Sequence, residues 1–145
     1  MLAMAEKAEV IDTKAKAKRA FLDGVFMLKR EKYESAAAKF KTAIEQQPKL
    51  AEAHNNYAYA MRQIDPENYE LALKHYNIAL KLKPKLAVAY QYRGCLHYLM
   101  GNMDLAKSDY NVLVKLGEND LADKLKTFIK EAGMNPKEGG AALTY

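Results

Sequence analysis

The chain has 145 residues and a formal net charge of +5, from 23 basic and 18 acidic side chains. No run of about eighteen apolar residues occurs, so the sequence predicts no membrane-spanning helix. Most basic residues are Lys, which suits a solvated helical surface better than recognition of bases or phosphates, so no nucleic-acid partner is expected. Many Ala, Lys, Leu and Glu residues, with few Pro and Gly, predict an all-α protein of one domain.

The cysteine content bears on the compartment. The lone Cys95 cannot form a disulfide within the chain, which favours a reducing compartment, and we predict a cytoplasmic protein. The opening Ala3-Met4-Ala5 is similar to the end of a secretory signal. A periplasmic or otherwise exported protein whose leader has been removed is therefore the alternative.

Residues 1–16 are rich in helix formers but show no clear apolar face, which predicts a leader segment that is helical or frayed. Asp12 or Thr13 is the expected N-cap of a helix that continues into the domain. Val10 and Ile11 are expected to rest against the end of the domain.

A repeat follows the leader. Gly24, Ala58 and Gly94 are 34 and 36 residues apart, and a second series of alanines shows the same two spacings in the reverse order. The basic period is therefore 34, with two extra residues between Ala58 and Ala72. Pro disfavours helical geometry in the residue before it, so the sequence predicts a widened turn within residues 63–69, which contain Asp65-Pro66. A period of this length is typical of a helical solenoid.

The helical pattern predicts three hairpins, at residues 17–50, 51–86 and 87–120. Small residues midway along each first helix allow a neighbouring helix to approach closely, and large aromatic residues on each second helix are expected to fill the space. These aromatic residues are Phe40, Tyr76 and Tyr110. The predicted helices lie near residues 15–30, 33–46, 51–63, 69–82, 86–100 and 103–116.

Residues 121–132 form a further amphipathic segment, with Leu121, Leu125, Phe128 and Ile129 on one face. We predict a capping helix that covers the last apolar face of a repeat domain spanning 17–133. Residues 134–145 contain Pro and paired Gly and are predicted to be a flexible tail.

These residues resemble the tetratricopeptide repeat (TPR) family, whose pattern is W-x2-L-G-x2-Y, then A-x3-F, then P. The third repeat departs from it, with Arg93 at the Leu place and Glu118 at the Pro place. The resemblance implies a right-handed α-solenoid of three helix-turn-helix repeats plus a capping helix, acting as a non-enzymatic scaffold or adaptor. The matching residues are Gly24, Ala36, Phe40, Ala43 and Pro48, then Ala58, Ala72, Tyr76, Ala79 and Pro84, then Tyr90, Gly94, Ala106 and Tyr110.

The resemblance and the helical phase together predict a concave groove lined by the first helix of each repeat. Its mixture of apolar, amide and tyrosine side chains suits a peptide segment or helix of a partner protein. The alternative is that several of these side chains only pack against one another or against the leader. The predicted lining is Phe21, Leu22, Val25, Lys29, Asn55, Asn56, Tyr59, Arg62, Gln63, Val88, Gln91, Tyr92, Cys95, Tyr98 and Leu99.

No catalytic, cofactor or metal site is predicted. His54, His75 and His97 are spread over different helices and faces. Cys95 and His97 are two residues apart on a helix, so their side chains point in different directions. The classes that remain besides the peptide-binding scaffold are a self-assembling structural protein, in which the leader or tail of one copy fills the groove of another, and an export-type chaperone.

The predicted groove also lacks a feature of some TPR relatives. Those that hold the acidic tail of heat-shock chaperones do so with a carboxylate clamp of Lys, Asn and Arg side chains, of which only Asn56 is matched here. We therefore do not expect a cochaperone of this kind. The residues at the corresponding places are Phe21, Val25, Asn56, Val88 and Tyr92.

Overall fold

The computed structural model describes residues 2–133, in which every regular element is an α-helix. The predicted all-α fold is confirmed, whereas the predicted tail at 134–145 lies outside the described residues. No helix among them is both long enough and apolar enough to cross a membrane. The helices are α1 (Leu2–Lys29), α2 (Tyr33–Gln46), α3 (Ala51–Ile64), α4 (Tyr69–Leu82), α5 (Ala87–Leu99), α6 (Met103–Lys115) and α7 (Asn119–Gly133).

α1 differs from its prediction because it is one unbroken helix of 28 residues, twice the length of α2. The predicted cap at Asp12 or Thr13 is wrong, since the Thr13 hydroxyl donates to the Val10 carbonyl (2.9 Å) in mid-helix. Val10 is exposed rather than resting on the domain. Asp12 instead forms an i, i+4 ion pair with Lys16 (3.0 Å). The predicted contact of Ile11 lies outside the described part of the structure.

The chain divides into two compact units, one ending at Pro84 and the other beginning at Lys85. The first unit contains α1 to α4, and each helix packs on the next one along the chain. Its core consists of small residues around two large rings, those of the buried Phe40 and Tyr76. The buried alanines of the first three helices are Ala17, Ala20, Ala36, Ala37, Ala43, Ala51, Ala53, Ala58 and Ala60.

Gly24 explains how α1 and α2 pack so closely in the first unit. A Cβ atom at this position would lie 2.6 Å from Cε1 of the Phe40 ring, closer than real atoms approach. The absent side chain therefore makes room for the ring, and the predicted pairing of a small residue with Phe40 is confirmed.

The second unit contains α5, α6 and α7, and α7 packs on both of the others. The side chains of Leu125 and Ile129 are fully buried, whereas the lysines of α7 face solvent, as predicted for a capping helix. A Cβ at Gly94 would lie 2.5 Å from Cδ2 of Leu125. The capping helix, and not the half-buried Tyr110, therefore fills the space beside Gly94, so that part of the prediction is wrong.

The helix ends show which turn carries the two-residue insertion. α1 and α5 are each followed by a three-residue turn, whereas α3 is one residue longer than α5 and is followed by the four residues 65–68. The predicted widening within 63–69 is confirmed. In the turn the Asp65 carboxylate accepts from the Glu67 amide (3.3 Å).

Candidate peptide-binding surface

The first unit presents predicted groove residues on α1 and α3, the first helices of its two repeats. Val25 and Tyr59 occupy equivalent places, 34 residues apart, and both are half-buried. Lys29 is exposed one turn after Val25, and Asn56 is half-buried one turn before Tyr59. We call these four residues the inner face of the first unit. It offers one aliphatic side chain, one aromatic side chain, one amide and one cation.

Tyr33, at the start of α2, lies near one end of the inner face. Desolvation, followed by the nearby Glu31 and Tyr59, raises the pKa of the Tyr33 phenol. The Tyr33 phenol therefore remains protonated at neutral pH and can donate as well as accept hydrogen bonds. Sequence reasoning did not include Tyr33 because the residue belongs to a second helix.

Three predicted lining residues of the first unit are engaged elsewhere. Asn55 is 4% exposed and donates to the Asn56 side-chain oxygen (3.0 Å), so it supports the inner face from beneath. Phe21 packs on the Phe40 ring, with centroids 5.9 Å apart. The Arg62 guanidinium donates to the Pro66 carbonyl (3.0 Å) and therefore braces the widened turn. Each of these side chains therefore has a partner within the fold, and Phe21 and Arg62 are half-buried.

In the second unit, too, some of the predicted groove residues reach the surface and others pack inside the unit. Gln91 and Tyr92 of α5 are half-buried and reach the surface. Cys95 is buried in the core shared with α7, so its predicted exposure is wrong. Tyr98 packs edge-on against Phe128 of the capping helix, with centroids 6.4 Å apart. Its phenyl ring thus contributes to the stability of this unit.

Two histidines meet in the first unit, contrary to the prediction that the histidines are scattered. The Nδ1 atoms of His54 and His75 are 3.0 Å apart, and His54 Nε2 lies 2.7 Å from the Pro48 carbonyl oxygen. Since that carbonyl only accepts, we assign the proton of His54 to Nε2 and the bridging proton to His75. Desolvation, followed by His54 and Lys74, lowers the pKa of His75 to about 4.

A charged pair lies inside the second unit. Asp109 is almost fully buried and accepts two hydrogen bonds from the Arg93 guanidinium, at 2.6 and 3.0 Å. His97 Nε2 is 3.9 Å from the same carboxylate, and desolvation lowers the pKa of His97. The sequence marked Arg93 as a departure from the family pattern but gave no sign of its partner.

An open cavity of about 260 Å³ lies between α1 and α2, away from the inner face. Three cations and one carboxylate reach it, and Lys39 lies 4.0 Å from Asp23. Within residues 2–133, no three His, Cys, Asp or Glu side chains are grouped so as to hold a metal ion.

Comparison with known proteins identifies the fold. No family model and no curated protein matches the chain. Among solved structures, the first TPR domain of Spaghetti (RPAP3), bound to the HSP90 peptide SRMEEVD, is 22% identical with a TM-score of 0.71, covering 79% of this chain and 91% of that one. The chain has the tetratricopeptide-repeat fold.

Two further TPR domains have a similar structure. The second TPR domain of human RPAP3, in complex with an HSP70 peptide, is 25% identical with a TM-score of 0.68, covering 82% of this chain and 97% of that one. The TPR domain of Arabidopsis OM64 is 18% identical with a TM-score of 0.73, covering 82% and 98%. The TPR resemblance read from the sequence is therefore confirmed at the level of the fold.

Proposed function

We propose that this TPR protein is a non-enzymatic, cytoplasmic interaction module whose inner face binds an extended peptide segment of a partner protein. The observation that carries the proposal is that Lys29 is exposed and that Val25, Asn56 and Tyr59 are only half-buried, whereas Asn55 and Ala58 beside them are buried. Peptide binding by similar domains supports it, because two of the matched TPR structures contain bound chaperone peptides.

The inner face is chemically suited to a backbone with apolar side chains. The Asn56 amide can donate and accept hydrogen bonds with an extended backbone, and Asn55 holds it in place. Tyr59 supplies aromatic area at low entropic cost, and Val25 supplies an apolar contact. Tyr33 adds a second phenol at the same end.

The charge of this face argues against an acidic chaperone tail as the ligand. Phe21 and Val25 stand where relatives with a carboxylate clamp carry Lys and Asn, and Lys29 is the one cation of the four inner-face residues. A peptide with several carboxylates would therefore lose hydration without gaining matching ion pairs. We propose a neutral or weakly charged segment with aliphatic or aromatic anchors.

A selection experiment tests the proposal. A displayed library of random twelve-residue peptides is screened against the full chain, and selected peptides are measured by calorimetry beside the acidic peptide SRMEEVD. We expect selected peptides rich in apolar residues, weakened at least tenfold by Tyr59→Ala and several-fold by Asn56→Ala, which correspond to about 1.4 and 0.5–1 kcal/mol.

The matched control is Asn111→Ala, because Asn111 is an exposed amide on α6 and belongs to the second unit. It should leave the affinity unchanged. Tighter binding of SRMEEVD than of every selected peptide would contradict the proposed peptide class. Equal affinities of the parent, Tyr59→Ala and Asn56→Ala would show that peptides do not bind at this face.

The second unit offers a smaller surface of its own. Gln91 and Tyr92 of α5 combine an amide with a phenol, as Asn56 and Tyr59 do on α3. We propose that these two side chains contact partner segments in the same chemical manner. In the calorimetric series above, a selected peptide that binds at this surface should be weakened by Gln91→Ala and unaffected by Tyr59→Ala.

A further inference from the structure

The first helix carries an exposed apolar stripe, and within it the Arg30 guanidinium lies over the Phe26 ring, 4.3 Å from the ring centroid. Met4, Ala8, Ala15, Leu22 and Phe26 are all exposed, with Met4 at 77%, Leu22 at 55% and Phe26 at 53%. Their spacings of four and seven residues place them within an arc of about 40° at 3.6 residues per turn. This outer stripe lies on the side of α1 opposite the face that packs on α2.

The stripe extends onto a part of α1 that has no helix beside it. α1 is about 42 Å long and α2 about 21 Å, at 1.5 Å per residue. The first buried side chain described in α1 is Ala17. In the first half of the helix every described side chain is exposed except the half-buried Thr13, and a solitary helix of that length is only marginally stable in water.

Charges along α1 are segregated, and this decides what the stripe fits. Residues 3–12 carry Glu6, Glu9 and Asp12 against the single Lys7, whereas residues 14–19 contain four cations and no acid. A second α1 running in the opposite direction sets the acidic segment of each copy beside the basic segment of the other. A parallel arrangement sets like charges together.

We propose that two copies of this protein associate through the outer stripes of antiparallel α1 helices. The pairing that sets residues 6–12 beside residues 14–20 of the other copy also sets Met4 beside Leu22. Ala8 and Ala15, in the middle of the stripe, let the helices approach closely. Each copy then supports the projecting half of the other's α1, and the symmetric contact closes as a dimer.

Sedimentation velocity on the full chain between 1 and about 200 µM tests this. We expect a monomer–dimer equilibrium that weakens in 1 M NaCl, since ion pairs across the helices are screened. Met4→Glu with Leu22→Glu should raise the dissociation constant at least tenfold without loss of helicity by circular dichroism. The matched control is Leu105→Glu, because Leu105 is an equally exposed leucine on α6.

A cross-linking variant tests the orientation. In a Cys95→Ala background, Met4→Cys with Leu22→Cys should give a disulfide-linked dimer on mild oxidation, and Leu22→Cys with Leu105→Cys should not. A strict monomer at 200 µM, or a dimer unaffected by the two glutamates, would overturn the proposal. So would a monomer that instead binds vesicles of phosphatidylcholine and phosphatidylserine through α1. Tyr59→Ala should leave the dimer intact, so this test and that of peptide binding fail separately.

Discussion

At Gly24 a single missing side chain sets the distance between two helices. Alanine at this position gains about 1 kcal/mol of helix propensity, but its Cβ collides with the fully buried Phe40 ring. We expect Gly24→Ala to lower the free energy of unfolding by about 1–3 kcal/mol, measured by urea denaturation. Gly94→Ala is the comparison, and it should cost less because the Leu125 methyl groups can move. A Gly24→Ala variant more stable than the parent would contradict this account.

Glu31 is the reverse case, because a residue with a side chain occupies a backbone conformation that favours glycine. Its φ of 59° matches the left-handed geometry of Gly101 and Gly117, which follow the ends of α5 and α6 in the same way. The Lys32 amide donates to the Met27 carbonyl (3.0 Å), which closes the turn. We expect Glu31→Gly to stabilise the protein by about 1 kcal/mol, measured by thermal unfolding.

The control for Glu31→Gly is the same change within a helix. Lys41→Gly, at an exposed position inside α2, should destabilise by about 1 kcal/mol because glycine has low helix propensity. Equal effects of the two substitutions would show that the left-handed geometry at Glu31 is not strained.

The His54–His75 pair makes stability depend on pH. Because the pKa of His75 is lowered to about 4 in the fold, the unfolded chain binds a proton that the folded chain does not between pH 6.5 and 4. The contribution of His75 is therefore complete above pH 6.5 and declines as the pH falls to about 4. Partial exposure limits the loss to about 1–2 kcal/mol.

Urea denaturation at several pH values measures this decline. His75→Asn retains a donor near the Nδ1 position and cannot titrate, so it should flatten the slope between pH 6.5 and 4.5. A residual slope in the same direction is expected from His97, whose pKa is also lowered. A parent protein that gains stability as the pH falls through this range would contradict the assigned proton positions.

Among the elements, the α5–α6 hairpin depends on the Arg93–Asp109 pair. The carboxylate is buried, and removing its partner leaves a charge without compensation, which typically costs 3–5 kcal/mol. We expect Arg93→Leu to lower the free energy of unfolding by about that amount. Arg93→Leu with Asp109→Ala should recover at least 2 kcal/mol, because both charges are then gone. Additive losses in this double-mutant cycle would contradict a coupled pair.

The helices could be predicted from the sequence because each hairpin repeats one pattern of small and large residues. Bounds agree to within two residues from α2 to α7. α1 was placed too short because no described side chain before Ala17 is buried, so no apolar face marks this segment as helix. Their Ala, Lys and Glu content favours a helix locally, and no Gly or Pro interrupts it.

For the molecule as a whole, the family pattern predicted the fold but only part of the site. The repeat phase places Val25 and Tyr59 at equivalent, half-buried positions on α1 and α3. It could not show that Arg62 would turn to the Pro66 carbonyl, or that the capping helix would bury Cys95. Such outcomes depend on neighbours far along the chain, and helical phase does not contain that information.

Amide chemical-shift mapping of the full chain, titrated with a selected apolar peptide, tests the central claim most directly. The account predicts that the largest shifts fall on Val25 to Lys29 of α1 and Asn56 to Tyr59 of α3. The outward residues of α2, such as Lys41, should stay unchanged. Shifts concentrated on α2, with α1 and α3 unaffected, would contradict binding at the inner face.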